Sequence, residues 1–219
     1  MSRWLKKLKV KTILLAAALW VTAAVGGTFA WQEWELSVTN ELKAHDTQVE
    51  VEEDFQSYDH KKVGFKNTGT SSVFLRVCYS ESWKADENLL PNTVTKTVDS
   101  EKKQVPVAIK KWTEFWPEQE DNKSTENDEW VRIGDWYYYK KVLKAGTSTN
   151  LILNKVSLLD PLPEEYKNAN YDLYFYVEAV QCSDGSNTLN SSEVNREATR
   201  KIFGPWAEVD GDTVIWTEE

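Results

Sequence analysis

The chain has 219 residues, of which 26 are lysine or arginine and 35 are aspartate or glutamate, so its formal net charge at pH 7 is −9. This surplus of acids argues against nucleic acid binding, because neutralising phosphates requires clustered basic side chains. It argues equally against binding to an anionic membrane surface. The two cysteines are too few for a disulfide scaffold.

The first 30 residues have the organisation of a helical secretory signal peptide. Residues 12–25 are apolar and uncharged, and they follow five basic residues, Arg3, Lys6, Lys7, Lys9 and Lys11. This apolar stretch is shorter than the roughly 20 residues that cross a bilayer as a helix, which favours a signal peptide over the alternative of an uncleaved signal anchor. Small residues at Thr28 and Ala30 predict cleavage between Ala30 and Trp31. We therefore expect export of residues 31–219, with membrane contact only through the signal peptide before cleavage.

Removal of the signal peptide makes the chain more acidic. Residues 31–219 contain 21 basic and 35 acidic residues, which is a net charge of −14. Their length is sufficient for one substantial domain with its own core.

Residues 31–46 form an N-terminal arm. Apolar residues at Trp34, Leu36 and Val38 alternate with polar residues, and Leu42 follows. The pattern predicts either a strand without a partner in its own segment or a short amphipathic helix from Glu35 onward.

From residue 47 onward, alternating apolar and polar residues predict a succession of short strands. Val49 and Val51 alternate with glutamates, and further strands are predicted at 60–66, 71–81, 105–112, 130–133, 135–143, 148–156 and 171–182. The strand at 71–81 should direct Val73, Leu75, Val77 and Tyr79 to one face and Phe74, Arg76, Cys78 and Ser80 to the other. The strand at 171–182 should direct Tyr171, Leu173, Phe175, Val177 and Ala179 inward. Polar residues dominate 84–103, where a short strand is predicted at 93–98, and 117–129, so the region 84–130 is predicted to be a variable insertion.

One helix is predicted at 190–203, because Asn190 and Glu193 have capping-box spacing and Gly204-Pro205 ends the pattern. A hairpin over 206–217 should turn at Asp210-Gly211. Many short strands without interleaved helices predict an all-β antiparallel sandwich for residues 47–219, with one short helix in its C-terminal half.

Residues suited to catalysis or metal binding are few. His45 and His60 are the two histidines, and no H-E-x-x-H motif accompanies them, so neither a zinc site nor any other cofactor is predicted. No histidine lies near Cys78 or Cys182 in the sequence to activate a thiol nucleophile. Carboxylate pairs of the glycosidase type leave a secreted hydrolase as an alternative. An acid excess spread along the chain is more typical of a solvated surface, and we predict no catalytic residues and no enzymatic activity.

The cysteines and tryptophans each have two interpretations. Cys78 and Cys182 lie on the face opposite the main apolar stripe of their strands, so they could form a disulfide or remain two free thiols. Trp112, Trp116, Trp130 and Trp136 could form an aromatic surface that stacks on carbohydrate, or they could pack in the core. The alternation favours packing.

Several segments resemble a family of exported matrix proteins. Residues 26–29 ahead of Ala30 are similar to signals cut by the SipW-type signal peptidase of Gram-positive bacteria. The runs VGFKNTG at 63–69 and VFLRV at 73–77 are similar to a strand pair of that family, and Trp83 follows where the family usually has a tryptophan. Residues 135–149 resemble its WYYYKKVLKPGEST signature, with Ala145 in place of proline, and residues 174–181 resemble its VEAVQ strand. In order and spacing these blocks resemble the BsaA-type SipW-dependent biofilm-matrix proteins and, more distantly, TasA and camelysin.

The resemblance implies a jelly-roll-like domain, a location in the extracellular matrix or on the cell surface, and self-assembly into fibres, with the signal peptidase and other matrix proteins as further partners. In TasA-like fibres the N-terminal strand of one subunit completes the sheet of its neighbour. Residues 31–42, with Trp34, Leu36, Val38 and Leu42, are therefore the candidate donor strand. The alternative function is a cell-surface binding module that recognises a glycan or a host protein through the aromatic region 112–139.

Overall fold

A computed structural model of the chain describes residues 48–57, 60–86, 88–118, 127–185 and 187–218. The signal peptide, its cleavage site at Ala30 and Trp31, and the arm with Trp34, Leu36, Val38 and Leu42 lie outside the described residues, as does His45.

Strands dominate the described part of the chain. They are β1 (Val49–Ser57), β2 (His60–Asn67), β3 (Val73–Ala85), β4 (Asn88–Leu90), β5 (Thr93–Val98), β6 (Glu101–Pro106), β7 (Ala108–Trp112), β8 (Trp130–Ile133), β9 (Trp136–Tyr139), β10 (Leu153–Leu158), β11 (Asn170–Gln181), β12 (Trp206–Asp210) and β13 (Thr213–Thr217). A helix, α1 (Ser192–Phe203), lies between β11 and β12, and a 3-10 turn (Glu164–Tyr166) precedes β11.

Two larger antiparallel sheets organise these strands. The first has the order β1-β2-β10-β7. The second has the order β11-β3-β9-β8, and β4 also pairs with β3. Its longest ladder joins β11 to β3 without interruption, from Asn170 opposite Lys84 to Gln181 opposite Val73. Two hairpins, β5-β6 and β12-β13, form small sheets of their own.

The two larger sheets bury their inward side chains in one hydrophobic core. Val63 and Phe65 of β2 enter it from the first sheet, and Leu75 and Val77 of β3 enter it from the second. Tyr171 and Leu173 of β11 are buried in the same cluster, with Phe175, Val177 and Ala179 packed against it. The faces predicted for residues 71–81 and 171–182 are therefore confirmed, and the fold is mostly β with antiparallel sheets and a single described helix.

A second cluster covers part of the outer face of the second sheet. Phe74 and Tyr138 from the sheet pack there with Phe203 of α1 and Val214 of β13. The Arg76 side chain connects the C-terminal end of α1 to the second sheet. Its guanidinium donates to the Phe203 carbonyl at 2.9 Å and to the Glu178 carboxylate, and it lies 4.2 Å from the Trp136 ring centroid. This clamp combines ion pairing with cation–π contact.

The predicted helix begins two residues later than expected. Ser191 is its N-cap, and its hydroxyl accepts from the backbone N–H of Val194. Asn190 instead donates its side-chain amide to Asn195 Oδ1. Gly204 ends the helix with a φ of 91°, a conformation that glycine adopts without a steric penalty. The hairpin turn at Gly211 also has positive φ, as predicted.

The strand predicted at 105–112 is divided. β6 ends at Pro106, which has no N–H to donate, and the next strand begins at Ala108. Between them, the N–H of the fully buried Val107 donates to the Asn92 carbonyl, and the Val107 carbonyl accepts from Leu159. The hydrogen bonds of Val107 thus go to two different segments instead of to one ladder.

Candidate functional site

The edge strand β11 is the most prominent candidate for an interaction site. It lies at one end of the second sheet, and among the described residues no strand pairs with its outer edge. In an antiparallel ladder successive residues direct their N–H and C=O groups to opposite sides. About half of the backbone groups of β11 therefore face this open edge.

The inward side chains of β11 become less buried along the strand. Tyr171 and Leu173 are each 8% exposed, whereas Phe175, Val177 and Ala179 are only partly buried. These three side chains lie at the margin of the core, where a further strand could cover them.

The first strand of the other sheet lies close to this margin. On β1, Val51 is 37% exposed although it shares a face with Val49, which is 3% exposed. The core is therefore incompletely covered along both edge strands. An added strand with an apolar residue at every second position would fit such a margin.

Charge distinguishes the two edges. β1 carries an unbroken acidic run at residues 52–54 and a further acid at Glu50, and charged side chains discourage strand addition. On β11, residues 173–177 (LYFYV) contain no charge between Asp172 and Glu178. Aromatic and β-branched residues without charge on an open edge are the pattern expected of a strand that accepts another strand.

The outer face of β11 is exposed beside this edge. Tyr174 and Tyr176 are 51% and 54% exposed. The negative charge of Asp172 is the main cause that raises the pKa of Tyr174. On the neighbouring strand, partial burial and then the Glu178 carboxylate raise the pKa of Cys78. The Asp172 carboxylate thus places negative charge beside the exposed Tyr174 ring.

The interpretation of the four tryptophans as an aromatic binding surface is wrong for two of them. Trp116 and Trp130 are 0% and 1% exposed, so neither can stack on a ligand from solvent. Trp116 instead packs between Trp112, at 5.3 Å, and Tyr137, at 4.2 Å between ring centroids. Core packing, which the alternation favours, is correct for both.

The other two tryptophans are partly buried. The Trp136 ring lies under the Arg76 guanidinium. Trp112 lines an open groove of about 370 Å³, together with Thr113, Glu114, Phe115, Asn150, Leu151 and Asn154. Trp112 thus borders a groove at the surface.

Two partly buried carboxylates, those of Glu118 and Glu81, each bind side chains from several different segments of the fold. Glu118 accepts hydrogen bonds from the hydroxyls of Tyr79, at 2.7 Å, and of Tyr137, and from Arg132 at 2.9 Å. Glu81 accepts from Lys110 of β7 at 2.7 Å and from the Tyr171 hydroxyl of β11 at 2.6 Å. Since β7 and β11 belong to different sheets, Glu81 joins the two sheets.

The tyrosines bound to these carboxylates are held protonated. Burial is the first cause that raises the pKa of Tyr79 and Tyr137 above the usual range, and the hydrogen bond to Glu118 is the second. Burial is likewise the first cause that raises the pKa of Tyr171, and the hydrogen bond to Glu81 is the second. Sequence analysis did not single out Glu81, although it continues the inward face of β3 two residues after Tyr79. A charged residue within an apolar stripe was the available signal.

A third carboxylate, Glu129, is buried and accepts from Lys141 at 2.5 Å and from Asn150 at 3.0 Å. All three acids therefore have cationic or polar partners within the fold, although for Glu129 both partners bind Oε1 and the buried Oε2 has no hydrogen bond to the described residues. This is the arrangement expected of structural ion pairs.

The disulfide considered for Cys78 and Cys182 is not formed, and both thiols are free. The register of β3 and β11 gives the reason. Cys78 lies opposite Tyr176, whereas Cys182 follows Gln181, which lies opposite Val73. Cys182 is therefore six residues along β11 from the position opposite Cys78, which corresponds to about 20 Å along the strands, far beyond the roughly 7 Å that a disulfide can bridge between Cα atoms. Cys182 is fully buried, and burial raises the pKa of its thiol to about 12.

Within the part of the chain that the structure describes, no group of three or more His, Cys, Asp or Glu side chains is placed to hold a metal ion. No helix in that part combines the length and the apolar composition needed to cross a bilayer. Comparison with known proteins gives no match, whether with models of protein families, with curated proteins or with solved structures.

Proposed function

We propose that this chain is an exported structural subunit that assembles into extracellular fibres by β-strand addition. In the proposed contact, residues 31–42 of one copy pair with the open edge of β11 in the next copy. The observation that carries the proposal is the uncharged run 173–177 on an open edge whose inward side chains remain partly exposed.

Strand addition would give this edge both hydrogen-bond partners for its backbone and cover for its apolar side chains. The donor backbone supplies partners for the outward N–H and C=O groups of β11. The apolar residues at Trp34, Leu36 and Val38 recur at every second position, as do the partly buried Phe175, Val177 and Ala179. One face of the donor can therefore cover the margin of the core.

The proposed architecture explains why a fibre would form instead of a closed dimer. The donor segment and the acceptor edge are different surfaces of the same chain, so the contact is heterologous. A heterologous contact that does not close by rotation generates open filaments. We further propose that the two larger sheets, which share one core, form a jelly-roll-like sandwich that presents the acceptor edge.

Cleavage of the signal peptide would control this assembly. Until a signal peptidase of the SipW type cuts between Ala30 and Trp31, the donor segment is tethered to the membrane. Assembly would accordingly begin outside the cell, in the matrix or on the cell surface, where other matrix proteins are further partners.

One observation favours a second function. The groove at Trp112 combines an aromatic ring with the side chains of Asn150 and Asn154, which is a composition suited to binding a glycan. A surface binding module would use this groove as a monomer and would not need the arm. No catalytic role is proposed for Glu81, Glu118 or Glu129, because each carboxylate has partners within the fold.

Deletion of residues 31–42 from the chain 31–219 tests the proposed function. We expect the complete chain 31–219 to form filaments visible by electron microscopy, and the shortened chain to remain a folded monomer. Leu36→Ser should also prevent filaments, whereas Glu35→Ser, on the opposite face of the donor strand, should not. Filaments formed by the shortened chain, or a complete chain that stays monomeric at every concentration and pH, would contradict the proposal.

A further inference from the structure

The Glu129 carboxylate brings an amine and a carboxamide together at one oxygen atom. Its Oε1 accepts hydrogen bonds from Lys141 Nζ at 2.5 Å and from Asn150 Nδ2 at 3.0 Å. The two nitrogen atoms therefore lie at most about 5.5 Å apart, which is the sum of these two distances. A rotation of the Asn150 side chain can bring its carboxamide carbon to within roughly 3–3.5 Å of the lysine nitrogen, the separation from which two groups react.

Three separate segments of the fold hold these side chains in place. Glu129 immediately precedes β8, Lys141 follows the end of β9, and Asn150 lies shortly before β10. The Glu129 backbone is fixed on both sides, because its N–H donates to the Phe115 carbonyl at 3.0 Å and its carbonyl accepts from Lys140 at 2.7 Å. Groups that a fold keeps in a well-oriented contact can react as if their concentration were roughly 10⁵–10⁸ M.

The Glu129 carboxyl is suited to carrying protons between the other two groups. Its side chain is only 8% exposed, and its Oε2 accepts no hydrogen bond within the part of the chain that the structure describes. A proton taken from the Lys141 ammonium removes the buried negative charge and leaves a neutral amine, which is the nucleophilic form. Burial and then the charge of Glu129 raise the pKa of Tyr139, so a protonated hydroxyl also lies near this carboxyl. Because the Lys141 side chain is half-exposed, its ammonium is also hydrated, and we expect a reaction that takes days.

We propose that Lys141 and Asn150 condense into a covalent side-chain amide bond, with Glu129 carrying the protons. Lys141 Nζ forms a bond to Asn150 Cγ, and the bond from Cγ to Nδ2 breaks. Glu129 takes up the proton of the ammonium before the attack and gives one to Nδ2, which leaves as ammonia. The atoms balance without an oxidant or a co-reactant, since an ammonium and a carboxamide become a secondary amide and an ammonium ion. Asn150 is exposed, so the ammonia can escape into solvent.

The bond would join the two larger sheets. It would connect the segment after β9, in the second sheet, to the segment before β10, in the first. Because the reaction takes place once within one chain, it is a modification of the protein and not turnover of a substrate. It goes beyond the proposed function and does not depend on fibre assembly.

Tryptic digestion with mass spectrometry tests this bond, because trypsin cuts after Lys144 but not after an acylated Lys141. The chain 31–219 is kept folded at neutral pH for several days and then digested under denaturing conditions. We expect its mass to fall by one molecule of ammonia, and peptides 141–144 and 145–155 to remain joined although trypsin has cut between them. Ammonia lost through a succinimide at an asparagine would leave these peptides separate. An unchanged mass, or separate peptides, would overturn the proposal.

Substitutions at the three positions assign the roles. Lys141→Arg keeps the positive charge without an amine nucleophile, and Asn150→Ala removes the carboxamide, so neither variant should give joined peptides. Glu129→Gln removes the proton carrier and should slow the joining by about 10²-fold. The matched controls Lys144→Arg and Asn154→Ala change the same residue types nearby and should leave the yield of joined peptides unchanged. Joining at an undiminished rate in a folded Glu129→Gln chain, or the same ammonia loss from Lys141→Arg, would refute the assignment.

Circular dichroism shows whether each variant has folded. If Glu129→Gln does not fold, Lys141→Arg still decides the question, because it preserves an ion pair with Glu129. The joined peptides report the bond whether or not filaments form. Filaments from a chain without joined peptides would leave the proposed function in place and remove this bond, and joined peptides from a chain without filaments would do the reverse.

Discussion

Replacing Val177 by lysine places a charge at the margin of the core without touching the proposed donor arm. Val177 lies opposite Val77 of β3, and its side chain is partly buried between those of Phe175 and Ala179. Complete burial of a valine is worth about 1.5–3 kcal/mol, and Val177 has only part of that burial. The lysine stem can keep some apolar contact while its ammonium reaches water at the strand edge. We therefore expect the free energy of unfolding to fall by about 1 kcal/mol, which corresponds to about 2–4 °C in Tm for a domain of this size.

The same substitution should have a much larger effect on assembly. A strand laid along β11 would enclose the Val177→Lys ammonium, and burying an unpaired charge costs several kcal/mol. Thermal unfolding followed by circular dichroism measures the loss of stability. Sedimentation with electron microscopy measures the loss of assembly. Val209→Lys on β12 is the matched control, since Val209 is also partly buried but lies outside the β11 edge. Normal filaments from the Val177→Lys chain, or an equal block by both variants, would refute this account of the edge.

Two further predictions concern the interior. In the native chain a thiol reagent should modify Cys78, which is partly exposed, but should reach the buried Cys182 only after unfolding, and the denatured, unreduced chain should titrate as two thiols. A chain with no reactive thiol would contradict this prediction. Tyr137→Phe removes a donor to Glu118 and should lower the free energy of unfolding by about 1–2 kcal/mol. Because burial and Glu118 raise the pKa of Tyr137, its protonated hydroxyl stabilises the fold fully below the unfolded pKa of about 10 and progressively less above it. The free energy of unfolding, measured with urea between pH 8 and pH 11, should fall less steeply with rising pH for Tyr137→Phe than for the unsubstituted chain. Equal slopes for the two chains would show that this hydroxyl does not titrate as described.

Local alternation was sufficient to predict much of the fold. The inward faces of β3 and β11 follow directly from the two-residue period, and the strands Thr93–Val98 and Trp130–Ile133 have their predicted bounds. In these segments the pattern of polar and apolar residues records which side faces the core.

Features that depend on distant partners were not predictable in the same way. The strand predicted at 135–143 ends at Tyr139, because beyond it Lys141 and Leu143 form single bridges with Thr213 and Val73 instead of one ladder. The separation of Cys78 from Cys182 follows from the register of two strands about a hundred residues apart in the chain. The helix start moved to Ser192 because Ser191, and not Asn190, supplies the cap.

The candidate site was likewise predictable only where it depends on local alternation, and not where it depends on distant partners. The apolar alternation of residues 173–177 was visible in the sequence, but strand order decides that β11 is an edge, and strand order is a long-range property. The burial of Trp116 and Trp130 depends likewise on rings brought together from separate segments, with 5.4 Å between their centroids. The partners of Glu81 and Glu118 come from strands that are distant in the chain.

The stacked indoles of Trp112 and Trp116 give this chain a built-in optical probe. Their rings lie 5.3 Å apart at 27°, close enough for coupled electronic transitions that give a near-ultraviolet circular dichroism signal. Phe175 of the open edge touches Trp112, with ring centroids 6.4 Å apart. Any segment that covers Phe175 must therefore alter the surroundings of this indole pair. Polymer growth could then be followed in real time without a dye, from the chain's own chromophores.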